Sequence, residues 1–214
     1  MNTFMRTIKK NSQDLHAVAE NTGFLKRLMD GQASVEGYAE YLFNLYEIYK
    51  TIEFNLEKYS HNPVVKEFTT VDVYRSEAIY KDLKVLLGEK MNSMQLLAST
   101  KAYIDKLNEL GRSNPELLVA HAYTRYLADL FGGRTIYKTL EQVYKVDYNA
   151  LNYYHYEALN EDEGRKEFIM EYHAKLGKIK LDDILKEKFL DEVSNSYIYN
   201  ISISNELDYK VYCK

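Results

Sequence analysis

ELLVAHAYTRYLADLFGGRTIYKTL, residues Glu116 to Leu140, decides the fold, because its pattern is strongly helical and yet breaks helix rules in its middle. Ahead of it, Ser113-Asn114-Pro115-Glu116 predicts a capped start, with a hydroxyl or amide for the first free N–H groups, proline in the first turn and a carboxylate near the positive end. Gly132 and Gly133 then fall well inside the periodic run. Each costs about 1 kcal/mol relative to alanine in a helix interior, so the adjacent pair implies that bare backbone gains something there, and close approach to another body is the obvious gain. At about 100° per residue, His121, Arg125, Ala128, Asp129 and Gly132 share one broad face, which sets an arginine, a carboxylate and bare backbone side by side. The plain alternative is a kinked helix packed tightly on a neighbour, with Arg125 and Asp129 as an i, i+4 ion pair worth only about 0.3–0.5 kcal/mol.

Working outward, 214 residues can bury one sizeable core, and no proline-, glycine- or serine-rich linker divides them, so residues 1–214 read as a single domain. Two prolines, nine glycines and apolar residues spaced i, i+3, i+4 favour an all-α build over a sheet. The single cysteine, Cys213, permits no disulfide within the chain and suggests no metal site, which suits a reducing cytoplasm. Residues Met1 to Lys10 lack the apolar core of a signal sequence, and no apolar run approaches membrane-spanning length, so a protein without a membrane anchor is expected. A net charge of −4 argues against a nucleic-acid partner.

Periodicity predicts a first helix over Thr3 to Asn21 with Gly23 as its stop, and a short one over Phe24 to Asp30 closed by Gly31. Ser34 caps a long helix reaching Tyr59, with Tyr38, Tyr41, Leu42, Leu45, Ile48, Ile52 and Leu56 as its buried stripe. Further helices are expected over Val64 to Thr70, Tyr74 to Leu87 and Thr100 to Leu110, with Gly88 and Gly111 as stops. Asp147 to Gly164 reads as an ordered loop or broken helix, and Lys166 to Leu176 and Asp183 to Asp208 close the fold as helices. On the first helix, Lys9, Gln13, His16 and Glu20 form one stripe of cation, imidazole and carboxylate, for which a surface pair of His16 and Glu20 is the plain reading.

Ala120-His-Ala-Tyr-Thr-Arg-Tyr-Leu-Ala-Asp-Leu-Phe-Gly-Gly133, taken whole, resembles the distal-helix signature of the heme oxygenases, without a gap. Fainter similarity runs from Asp14 to about Leu207. One departure is plain: the family has Gly-Asp where this chain has Ala128-Asp129. The resemblance implies an all-α, single-domain fold of the soluble bacterial kind, with heme held between a proximal helix and the kinked distal helix that carries Thr124, Ala128, Gly132 and Gly133. Asp14-Leu-His16-Ala-Val-Ala-Glu-Asn21 resembles the proximal helix, which implies His16 as the axial ligand of the heme iron and Glu20 as the acceptor that fixes its tautomer. Lys9 and Tyr123 are then implied at the heme propionates. Where the family has a lysine and, four residues on, an arginine, this chain has Ile169 and His173, with Lys175 nearby as a substitute cation. Tyr49, in Leu45-Tyr-Glu-Ile-Tyr49, and Asn200 match members of a distal hydrogen-bonded water network, and Tyr197 matches an aromatic residue against the heme.

The implied chemistry is oxidative cleavage of heme to biliverdin, carbon monoxide and ferrous iron, with heme as substrate and oxygen-activating cofactor. Bare backbone at Ala128, Gly132 and Gly133 would steer O2 toward the porphyrin edge. Asp129 would anchor a water that supplies the proton, with Arg125, Tyr49 and Asn200 extending the network. Electrons must come from an external reductase, ferredoxin or flavodoxin, because the chain has no Gly-x-Gly-x-x-Gly fingerprint for a nucleotide cofactor. A di-iron oxidase on a similar scaffold would need Glu-x-x-His pairs, and the residues three before each histidine are Gln13, Lys58, Leu118, Asn152 and Met170. A thiaminase-like hydrolase would need an internal nucleophilic cysteine. A non-catalytic heme-binding, storage or oxygen-scavenging protein stays open as the alternative, kept alive by Ala128, Ile169 and His173.

Overall fold

The Ser34 hydroxyl accepts the Gly37 N–H at 3.0 Å and opens a long helix with an extensive buried stripe. A computed structural model describes residues 3–159 and 161–213, the side chains of residues 161 and 162 excepted. Among the described residues there are α-helices and short 3-10 turns and no strand. In chain order the helices are α1 (Thr3–Glu20), α2 (Gly23–Met29), α3 (Val35–Lys58), α4 (Pro63–Phe68), α5 (Ser76–Leu87), α6 (Ala98–Ser113), α7 (Leu118–Gln142), α8 (Glu161–Gly177) and α9 (Asp183–Tyr212). None is long and apolar enough to cross a membrane.

Helical spacing places Tyr38, Leu42, Leu45, Ile48, Ile52 and Leu56 on one stripe of α3, and all are buried against α5, α6 and α7. Each such side chain contributes about 1.5–3 kcal/mol when fully buried, which makes α3 the axis of the fold. Tyr41, expected in that stripe, is only partly buried. The two walls that matter for function are set by α9: α1 and α7 both pack on it, and α8 bridges the two from another side.

Several boundaries differ from the sequence expectation, each for a local reason. Gly23 opens α2 rather than stopping α1, at φ +61°, and a Cβ there would lie 2.7 Å from the Ser204 carbonyl carbon, so its bareness lets α2 touch the backbone of α9. Gly111 lies inside α6, where a Cβ would come within 2.5 Å of the Tyr59 ring and 2.6 Å of Asn55 Oδ1. It is a spacer between α6 and α3, not a terminator. The capped start drawn for the long helix is also corrected: Ser113 Oγ donates back to the Glu109 carbonyl, and Asn114 makes no side-chain cap. Proline instead enters a 3-10 turn, Pro115–Leu117, that feeds α7. The glycine pair lies inside α7, which continues through Gly132 and Gly133 as helix. The segment read as loop or broken helix holds two 3-10 turns, Tyr148–Ala150 and Asn152–Tyr154, but α8 begins at Glu161 and takes in Gly164; Asn160 lies outside the described residues.

Candidate functional site

Between α1 and α7 lies a cleft of about 360 Å³. Helical periodicity supplies both walls. On α1, residues Lys9, Ser12, Gln13 and His16 recur on one side; on α7, Tyr123, Thr124, Leu127, Ala128 and Phe131 do the same, and His173 of α8 and Tyr197 of α9 complete the lining. A cleft of this size, with polar side chains mainly on the α1 side and aromatic and aliphatic ones mainly on the α7 side, suits a small molecule.

His16 is half exposed, its Nδ1 3.6 Å from a Glu20 carboxylate oxygen and its ring edge-on to Tyr197 with centroids 5.9 Å apart. Glu20 therefore stands beside the imidazole without lining the cleft, at a distance longer than a hydrogen bond. At one end of the cleft Lys9, Tyr123 and His173 come together, the last two with ring centroids 6.1 Å apart. Burial and the Lys9 charge both hold the His173 imidazole below its ordinary range. Ile169 packs on the core and Lys175 is exposed; neither lines the cleft.

Fit to a flat apolar disc with an iron and two carboxylates can be tested on the wall itself. A Cβ on Gly132 would meet no atom within 4 Å, and one on Gly133 would make only an ordinary 3.4 Å contact with Tyr154. The protein's own packing does not require these glycines, although a helix interior disfavours them. Phe131 is 64% exposed at the mouth, an apolar surface that folding alone does not cover. Gly132 and Gly133 are not among the residues lining the cleft; its α7 wall is made by Tyr123, Thr124, Leu127, Ala128 and Phe131, and with the His16 imidazole opposite and Lys9 among the lining residues it suits heme.

Behind Ala128 the same helix turns a second face to α3 and α9. The broad face expected from the sequence is split there: Ala128 lines the cleft, while Arg125 and Asp129 point into a buried polar cluster. Arg125 Nη1 donates to Asn200 Oδ1 at 2.9 Å, and its Nε and Nη2 reach the Tyr49 hydroxyl at 3.2 and 3.0 Å. Asp129 accepts from the Tyr49 hydroxyl on one oxygen and from the Tyr153 hydroxyl on the other at 2.7 Å, with Arg125 Nη2 at 3.4 Å. Burial pushes the Asp129 carboxyl up from its ordinary range, and Arg125 with the two hydroxyls pulls it back only in part. Burial likewise raises Tyr49 and Tyr153, so both stay protonated and donate. Arg125 is buried against its own charge, yet the surrounding phenols and Asp129 hold its protonation firmly.

His121 belongs to neither face of the site. It is fully buried, its Nε2 2.9 Å from Glu192 and its Nδ1 3.0 Å from the Tyr103 hydroxyl, with Lys106 completing the pair on Glu192 at 2.9 Å. Thr124, at the cleft wall, returns its hydroxyl to the Ala120 carbonyl at 3.0 Å. The member that sequence reasoning missed is Tyr153, which sits in a segment with no clean period. Ser12, Leu127 and Phe131 of the cleft lining were missed as well, although Leu127 and Phe131 recur at i+4 and i+8 from Tyr123.

Comparison with known proteins agrees with this geometry. Residues 2–206 match the heme oxygenase family. The chain is 30% identical over 210 residues to the heme oxygenase of Pyropia yezoensis, covering 97% of this chain and 87% of that protein. It is 26% identical over 202 residues to heme oxygenase 1 of Synechocystis, covering 94% and 83%. Among solved structures, Synechocystis heme oxygenase-2 in complex with heme and NO superposes with a TM-score of 0.91 at 26% identity over 97% of this chain and 85% of that one. The heme oxygenase of Leptospira interrogans superposes at 0.88, again at 26% identity, over 95% and 99%.

Proposed function

As a member of the heme oxygenase family, to which it belongs, the chain degrades heme to biliverdin, and we propose that His16 holds the iron while Asp129, Arg125, Tyr49 and Asn200 manage the protons. Bound heme is the substrate and also the centre that activates O2, releasing carbon monoxide and ferrous iron as the ring opens. The observation that carries the assignment of roles is a buried carboxyl, raised in pKa and held by three donors, one residue behind the wall that faces an imidazole across the cleft.

His16 would offer Nε2 to the iron, with the Glu20 carboxylate standing 3.6 Å away on the Nδ1 side of the ring. Lys9, Tyr123 and His173 take the substrate's carboxylates at the polar end. On the α7 side the Ala128 methyl, with Leu127 and Thr124, forms the surface that a flat substrate would meet. Burial raises the Asp129 carboxyl toward its protonated form, and water linking it to the cleft would relay the proton. Tyr49 and Arg125 hold that carboxyl in place, and Asn200 fixes Arg125 from α9.

Electrons come from an external reductase, ferredoxin or flavodoxin, in the cytoplasm. The test is incubation of the purified protein with hemin, O2 and a reducing system. Biliverdin and carbon monoxide are expected, with Asp129→Ala binding hemin but releasing neither. Hemin recovered intact from the wild-type protein would make it a carrier.

A further inference from the structure

Tyr153 lies on the stretch between α7 and α8, more than twenty residues from Asp129 in sequence, yet its hydroxyl donates to Asp129 Oδ1 at 2.7 Å, stands 3.1 Å from the Tyr49 hydroxyl and lies 3.3 Å from Arg125 Nη2. Such a segment does not hold a hydroxyl in place by itself, and here α5 does so. Asp82, fully buried, accepts the Asn152 N–H, the Asn152 side-chain amide and the Tyr153 N–H, each at 2.8 Å. Arg75, buried at the start of α5, donates to the His155 carbonyl at 2.6 Å and to the Tyr153 carbonyl at 3.4 Å, and its guanidinium lies 3.9 Å from the Tyr156 ring centroid. Two buried charges thus clamp the backbone on either side of one phenol. A pair of buried ionic groups is costly unless well bonded; here Asp82 bonds only Asn152 and Tyr153, and Arg75 bonds the Tyr153 and His155 carbonyls besides that of Val73.

We propose that Tyr153 is a positioning residue for the reaction: with Tyr49 it grips the Asp129 carboxyl by both oxygens, and the Asp82–Arg75 clamp of α5 sets that grip. The proposal rests on the reading of Asp129 as the proton donor. A hydroxyl that donates to a carboxylate favours the charged form, so Tyr153 tunes how readily Asp129 gives up its proton. The groups facing Asp129 are Arg125 on its own helix, Tyr41 and Tyr49 from α3, Arg75 just ahead of α5, and Tyr153, Tyr154 and Tyr156 from the clamped segment, while α9 contributes the uncharged Asn200 by way of Arg125. Loss of one hydroxyl leaves all other charges where they were.

The experiment is Tyr153→Phe, which keeps the ring that packs edge-on to Tyr49 at 5.8 Å and beside Tyr154 at 4.7 Å. In heme-free protein carrying ¹³C-labelled aspartate, the Asp129 carboxyl resonance is expected to titrate at higher pH than in the wild type. In turnover, kcat should fall about tenfold with KM unchanged, and the alkaline limb of the pH profile should move up with the resonance. Asp82→Asn, which turns an acceptor of the clamp into a donor facing the Tyr153 N–H, should move the resonance the same way without touching the phenol. An unmoved resonance in both variants overturns the proposal, since a merely structural Tyr153 would not be felt at Asp129. A moved resonance with an unmoved profile overturns the assignment of Asp129 as donor instead.

Discussion

Arg125 lies closer to Asn200, at 2.9 Å, than to Asp129 one turn along its own helix, at 3.4 Å. The ion pair that spacing alone would draw on α7 is thus the weaker contact. Arg125 is fixed from α9 and α3, and Asp129 is held chiefly by phenols, so a carboxyl and a guanidinium that look like partners serve separate ends of one cluster.

That separation has a pH signature. The Asp129 carboxyl is raised by burial above its ordinary value of 3.8, so the native state holds its proton more tightly than the unfolded chain. Its contribution to stability is fully present below the unfolded value and is lost as pH rises through the folded one. Relative to wild type, Asp129→Asn should therefore gain stability as pH rises from about 4, levelling off above the native pKa. Urea unfolding of both proteins at a series of pH values measures the difference. A difference independent of pH would mean that the carboxyl is not raised.

Two histidines should respond in opposite ways. His16 is half exposed with no close hydrogen bond, so His16→Ala should leave stability within about 0.5 kcal/mol while abolishing the histidine-ligated heme spectrum, which added imidazole restores. His121 is buried between Tyr103 and Glu192, so His121→Ala should cost about 2–4 kcal/mol and keep that spectrum. Thermal melts with absorption spectra on the same samples would settle both assignments, and an unchanged spectrum in His16→Ala would remove it as the ligand.

Gly132→Ala separates a glycine needed for folding from one needed for substrate. No protein atom opposes the new methyl, so heme-free protein should gain up to about 1 kcal/mol from helix propensity. Heme binding or turnover should worsen in the same variant. Destabilised apo-protein would show that the glycine serves the fold.

Lys9 offers a third contrast, at the polar end. It is exposed, and an exposed ion pair is worth about 0.2–1 kcal/mol, so Lys9→Ala should weaken heme binding by no more than about fivefold. Because the Lys9 charge helps depress His173, the variant should also raise the His173 titration seen by NMR in heme-free protein. A changed biliverdin isomer pattern is expected too, as the disc loses one fixed point. If affinity, isomer and His173 all match wild type, the carboxylates are held elsewhere.

Much of this was readable in the chain because it depends on local pattern. The Ser34 cap, the buried stripe of α3, the stop at Gly88 and the pairing of His16 with Glu20 each follow from neighbours within a turn or two. Gly23 and Gly111 misled for the opposite reason: their bareness answers to Ser204 on α9 and to Asn55 and Tyr59 on α3 and at its end, contacts that spacing does not encode. Tyr153 was invisible on the same ground, since Asp82 and Arg75 place it from some seventy residues away. His121 shared a helical face with Asp129 on a wheel, yet a quarter-turn of difference sends it into the core.

The His16 wall buries few side chains for its length. Along its eighteen residues α1 buries only Met5, Ile8 and Ser12, against twelve residues buried by α3. Two fully buried apolar side chains contribute about 3–6 kcal/mol, below the full stability of an ordinary domain, so α1 is expected to open locally before the core of α3 does. Amide hydrogens of α1 should then exchange well ahead of those in α3, and bound heme, which bridges the two walls, should slow them. The ligand that closes the cleft would itself be the clasp of the N-terminal helix, and opening the ring into a flexible tetrapyrrole, with the iron gone from His16, would undo that clasp and let product leave.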